Sequence, residues 1–146
     1  MHSHNGLVAA GGRSPFIKIW DEETGEEKAI LDQAHADSTA VVQLFQNNQR
    51  LISCGHDPFI KVWDVEYRKP IHQLRGHIGW VWGLAFDEAS GMAVSGSIDT
   101  TVIVFDIKSQ SRVQVFTDHV AEVTGVWYKT TLPAIHLVSS TDSIAL

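Results

Sequence analysis

Short apolar runs separated by polar turns fill the chain, and none reaches the length of a helix. Val41-Val42-Gln43-Leu44-Phe45 reads as a strand, ended by the polar turn Gln46-Asn47-Asn48-Gln49. Arg50-Leu51-Ile52-Ser53-Cys54 reads as a second strand, closed by Gly55-His56-Asp57-Pro58. Phe59 to Trp63 is a third, and Ile71-His72-Gln73-Leu74 a fourth. The next stretch copies the set at Val81–Phe86, Ala93–Ser97, Val102–Phe105 and Val113–Phe116. Four short strands per unit, with turn signals between them and no 3.6-residue periodicity, predict antiparallel all-β structure.

The copying is regular. Trp20-Asp21, Trp63-Asp64 and Phe105-Asp106 end three similar strands at spacings of 43 and 42, and His35, His77 and His119 fall 42 residues apart. Phe16-Ile17-Lys18-Ile19-Trp20-Asp21 lies over Phe59-Ile60-Lys61-Val62-Trp63-Asp64. A period of this length marks a stacked-repeat architecture, in which each unit buries its faces against its neighbours.

With its Gly76-His77 loop and its aromatic-Asp strand ends in register, the chain resembles the WD40 repeat, a four-stranded blade of a β-propeller. The resemblance implies a partial propeller. Residues 1–34 are expected to form a blade lacking its first strand, 35–76 and 77–118 complete blades, and 119–146 a truncated blade. Asp142 in the last of these predicts an aromatic at a position beyond Leu146. The usual seven blades at this period need about 300 residues against the 146 present, so missing blades or another chain are expected to close the ring.

Composition narrows the classes of function. With 44% hydrophobic and 19% charged residues the chain is globular, and a net charge of −6 disfavours non-specific binding to nucleic acid or anionic membrane. No stretch approaches the ~20 apolar residues of a membrane span. Cys54, the single cysteine, lies in an apolar strand and fits a small buried thiol in a reducing, intracellular compartment. His2 and His4 fit a frayed terminus; no His/Cys cluster has zinc-site spacing, and Gly11-Gly12 precedes a strand rather than a helix, so neither metal nor nucleotide cofactor is expected.

His35, Ser53 and Asp57 recur as His77, Ser95 and Asp99, at the same 18- and 22-residue spacings from the histidine. Ser, His and Asp are the parts of a nucleophilic triad, which leaves a serine-dependent hydrolase as the remote reading. Repetition argues against it, because a hydrolase needs one activated serine and not one per repeat. The resemblance implies a structural network instead: the Trp63 indole N–H meets the Ser53 hydroxyl, which meets the His35 ring, which Asp57 orients. Phe105 removes that indole N–H from the third unit, and Ala10 and Ser14 replace Ser and Asp in the first. In the fourth, His119 is expected to pair with Asp142, with the serine at Ser139.

The resemblance also implies partner contacts on the top face of the propeller. They fall at Ser38, Ala40 and His56 in the second unit, at Trp80, Trp82 and Ile98 in the third, at Glu122, Thr124 and Thr141 in the fourth, and at Arg13 in the first. Trp80, Trp82 and Ile98 form an aromatic and aliphatic anchor of the kind enriched at interface hot spots. The competing reading places the tryptophans in the core, because strict alternation puts 80, 82, 84 and 86 on one face. The expected function is a non-catalytic scaffold for protein or peptide partners. A substrate receptor of a ubiquitin ligase is the alternative, although Trp63-Asp64-Val65-Glu66, Trp20-Asp21-Glu22-Glu23 and Phe105-Asp106-Ile107-Lys108 all lack the Trp-Asp-x-Arg signature of one such class.

Overall fold

The structure, a computed structural model, describes residues 6–129, 134–138 and 143–145. All of the regular structure among them is strand. β1 (Leu7–Gly12), β2 (Ser14–Asp21) and β3 (Glu27–Leu31) make a three-stranded sheet. β4 (Thr39–Phe45), β5 (Arg50–Gly55), β6 (Ile60–Asp64) and β7 (Lys69–Leu74) make a four-stranded one, in chain order. β8 (Val81–Asp87), β9 (Met92–Ser97), β10 (Val102–Asp106) and β11 (Ser111–Phe116) repeat that arrangement. β12 (Gly125–Lys129), β13 (Ala134–Val138) and β14 (Ser143–Ala145) form the last sheet. Every pairing is antiparallel. These are the antiparallel sheets of an open propeller arrangement that the resemblance implies.

Burial follows position within each sheet. β5 and β9 lie between neighbouring strands with another sheet against them, so Leu51–Gly55 and Ala93–Ser97 are continuously buried. β11 is an outermost strand and is exposed along most of its length. The largest core packs Phe45, Ile52, Val62 and Leu74 of the second sheet against Val81, Leu84, Ile103 and Phe105 of the third. A second core joins Ile17, Ile19 and Leu31 to Leu51 and Trp63, and a third joins Val94, Val102 and Val104 to Val123.

The aspartate of each aromatic-Asp pair caps the turn behind it. Asp21 Oδ1 accepts from the Glu23 and Thr24 amides at 3.0 and 2.9 Å, Asp64 Oδ1 from Tyr67 N at 3.0 Å, and Asp106 Oδ1 from Lys108 N at 2.9 Å. These bonds let the chain reverse with Gly25, Arg68 and Gln110 at φ of 72°, 55° and 57°. Pairing shifts by one residue just before each aromatic, at Ile19/Trp20, Val62/Trp63 and Val104/Phe105.

The first strands of the second and third sheets carry a further shift, at Thr39/Val41 and Val81/Gly83. The latter corrects the alternation argument for the tryptophans. A bulged residue resets the side-chain phase, so Val81 and Leu84 are both buried while Trp82 is half-buried and Trp80, outside β8, is 45% exposed.

Candidate functional site

The sheets have two distinct ends. Thr39 pairs with Gly55 and Ile60 with Leu74 at the upper end; Phe45, Arg50, Asp64 and Lys69 lie level at the lower end. At the upper end of the second sheet the His35 Nδ1–H donates to both oxygens of Asp57, at 3.0 and 2.9 Å. A carboxylate only accepts, which fixes the proton on Nδ1 and leaves Nε2 to accept from the Ser53 hydroxyl at 2.9 Å. The Ser53 oxygen in turn accepts from the Trp63 indole at 3.0 Å. Four side chains from two strands and two loops are thereby satisfied together. Burial pushes the Asp57 carboxyl upward, but the hydrogen bond and charge of His35, the Phe59 amide and nearby Lys61 outweigh it and hold the acid below its ordinary range.

The third sheet builds a related cluster with different members. His77 Nδ1 donates to Asp99 Oδ2 at 2.9 Å, and Nε2 accepts from Ser95 at 2.8 Å. Phe105 stands in the third sheet where Trp63 stands in the second, so Ser95 receives no indole bond; its hydroxyl also lies 3.3 Å from the Ile103 carbonyl. Thr101 joins in, its hydroxyl donating to Asp99 Oδ1 at 2.6 Å and sitting 3.0 Å from His77 Nδ1. The Ile78 and Thr101 amides donate to the same carboxylate. Nothing in the repeat pattern singles out Thr101, because the matching position in the second unit is Phe59.

Ser53 and Ser95 are fully buried, so neither hydroxyl meets a substrate in this arrangement. His119 is buried as well, whereas Asp142, Ser139, Thr141, His2 and His4 lie outside the described residues. Cys54 is buried in β5, which pushes its thiol pKa up. Among the described residues no group of three or more His, Cys, Asp or Glu is placed to hold a metal ion.

The rim positions gather in part. The His56 ring stacks on Trp80, with centroids 4.4 Å apart and planes 9° from parallel, and meets Trp82 edge-on at 4.8 Å. His56 therefore bridges two sheets, joining tryptophans that lie 6.3 Å apart. Its Nδ1 faces Asp37 Oδ2 at 3.3 Å. Ile98 is tied to the same place by its amide, which donates to the Trp80 carbonyl at 3.0 Å. A side chain at Gly79 would press into Ile98, so glycine there lets the loop close. Arg13, Asp37, Ser38, Ala40, His56 and Trp82 line one cavity of about 540 Å3. Glu122 and Thr124 are exposed in the loop before β12, and no hydrogen bond or ion pair among the described residues ties their side chains to the aromatic cluster. The stack of His56 on Trp80 was not legible in the sequence, where the two positions belong to different repeats.

Residues 25–64 and 68–106 match the family described as WD domain, G-beta repeat. The chain is also 31% identical over 107 residues to protein tipD of Dictyostelium discoideum, an alignment covering 73% of the chain. It is 25% identical over 123 residues, 82% of the chain, to a chromatin assembly factor 1 subunit of Mus musculus. The aligned region spans only 17% of the length of each relative. With more than half of its residues matching the repeat, and with four-stranded antiparallel sheets that reproduce it, the chain belongs to the WD40 repeat family.

Proposed function

We propose that the chain is part of a non-catalytic protein-interaction platform that takes a protein or peptide partner on the upper end of its sheets. The observation that carries this reading is the half-exposed aromatic cluster of Trp80, His56 and Trp82. Rigid aromatic surface beside a cavity is what interface anchors are made of, since little side-chain entropy is lost on contact. Arg13 and Asp37 on the cavity wall supply charges of both signs for orientation, and Ile98, bonded through its amide to the Trp80 carbonyl, adds apolar area beside Trp80. Glu122 forms a separate acidic contact point on the same rim. The propeller blades 1–34, 35–76, 77–118 and 119–146 serve as the scaffold that holds these loops at fixed spacing.

Trp80→Ala in the full-length protein tests it. Truncating a hot-spot tryptophan costs about 2–4 kcal/mol of binding, and Trp80 is exposed enough that the fold should tolerate the change. Quantitative affinity capture from cells should therefore lose partners at an unchanged melting temperature. A lower melting temperature with capture intact would make Trp80 a packing residue and remove the site. Labelling of Ser53 or Ser95 by a fluorophosphonate probe would overturn the non-catalytic reading.

A further inference from the structure

A second cleft opens at the lower end, between the second and third sheets and across the strands from the aromatic rim. Its cavity measures about 300 Å3, the lower end of the range for pockets that hold ligands. Phe45, Val62, Phe86 and Ile107 form an apolar floor, with the Phe45 and Phe86 rings 4.7 Å apart at 60°. Two hydrogen bonds hold the sheets together beside it: Gln43 Nε2 donates to the Phe86 carbonyl at 3.1 Å, and the Gln46 amide to Glu88 Oε1 at 2.9 Å. The cleft is braced by these bonds before any ligand arrives.

Its charge departs from that of the chain. The net charge is −6, yet Arg50 and Lys108 line the cleft against one carboxylate, Glu88, with the His72 ring beside them. Neither basic group forms an ion pair among the described residues. Glu88 is itself occupied in part by the Gln46 amide. Asp64 lies level with Arg50, but its Oδ1 accepts from the Tyr67 amide. Arg50 begins β5 and Lys108 follows β10, so positive charge reaches the apolar floor from both sheets, and the His72 ring of β7 adds a polar group beside it.

We infer that this cleft docks an acidic peptide segment of a protein partner, inserting one aliphatic side chain between Phe45, Phe86 and Ile107 while flanking carboxylates meet Arg50 and Lys108. The apolar floor asks for a side chain that a simple anion does not have. Arg50 and Lys108 come from different sheets, so the cleft fits carboxylates placed on either side of that apolar side chain, as along an extended peptide. Charge-assisted pairs at a half-open rim of this kind confer orientation and specificity. The site is independent of the upper rim, and either can fail without the other.

The test is fluorescence anisotropy on the full chain with a labelled peptide bearing a central leucine flanked by aspartates. The comparison probes are the same peptide with lysines for the aspartates, the same peptide with serine for the leucine, and single-stranded oligothymidylate. The aspartate–leucine peptide alone should bind, more weakly as salt is added. Lys108→Glu and Arg50→Gln should each weaken it about tenfold or more, the loss expected for a charge-assisted bond, at unchanged melting temperature. Trp80→Ala should bind it as well as the unaltered chain does. Absent binding, equal binding of the lysine or serine peptide, or unaltered affinity in Lys108→Glu would overturn the proposal. Oligothymidylate binding lost in Lys108→Glu, with the acidic peptide ignored, would replace it with a nucleic-acid site.

Discussion

Trp63 Nε1 donates to Ser53 Oγ across 3.0 Å, and at the matching place in the next sheet Phe105 offers Ser95 nothing. Ser53 is thus both acceptor and donor, while Ser95 has a free lone pair in a fully buried site. Phe105→Trp should restore the bond and be neutral or stabilising, by about 0.5–1.5 kcal/mol if the ring fits. The opposing effect is overpacking, since Phe105 is 1% exposed and its ring tip faces Gly76 and the second-sheet core. Urea denaturation of the variant decides between them. A loss of more than about 1 kcal/mol means that the core has closed around the smaller ring.

The two carboxylates that orient the histidines should be costly to remove. Asp57→Ala leaves the His35 Nδ1–H and the Phe59 amide without their acceptor. Asp99→Ala strands His77, Thr101 and two amides. Each should destabilise by roughly 1–3 kcal/mol, with Asp99 at the upper end because it serves more donors. Ser14→Ala, at the place in the first sheet where the acid is missing, should change stability by less than about 0.5 kcal/mol. Melting temperatures that fall equally in all three variants would break the proposed alignment of the repeats.

These contrasts show what the sequence carried and where it stopped. Repeat spacing showed His35, Ser53, Asp57 and Trp63 as a recurring set, and the resemblance to the WD40 repeat implied the bonds among them. Apolar runs between turn signals located the strands. Thr101 left no imprint, since its role is filled in one unit only. The competing core reading of Trp82 rested on strict alternation, and the bulge at Val81/Gly83 broke the alternation. His56 and Trp80 are brought together by the packing of β4 and β5 against β8, a relationship between sheets that no pattern within one strand encodes. The lower cleft was invisible for the same reason: Phe45 and Arg50 meet Phe86 and Lys108 only once two units stack.

Gly55 gives a sharper test of how tightly the upper end is packed. A Cβ there would collide with the Ser38 carbonyl oxygen and come within 3.0 Å of the His35 ring and of Thr39 Cα. Two of those neighbours are backbone, and the ring is held by Asp57 and Ser53, so none can step aside. Gly55→Ala should cost about 1–3 kcal/mol or more. Gly12→Ala, where nothing lies within 4 Å, should stay within about 0.5 kcal/mol. A pair of chemical denaturation curves reads the difference.

Stability should also fall in acid, in two stages. Burial of His77 disfavours its charged form and outweighs the hydrogen bond and charge of Asp99, so its folded pKa lies below the ordinary 6.5. The unfolded chain then binds the proton more readily, and stability rises with pH across that window. Acidification below about pH 6.5 therefore begins to destabilise the third sheet. Asp57 and Asp99 both have folded values below 3.8: burial raises them, but bonds from His35 and Phe59, and from Thr101 and Ile78, prevail. Their contribution is present above 3.8 and lost as pH falls through the folded values. Calorimetric melts across a pH series should show a shallow decline below neutrality and a steeper one in strong acid. An NMR titration giving His77 a folded pKa above 6.5 would reverse the sign of the first stage, because the protonated imidazolium would then stabilise the fold.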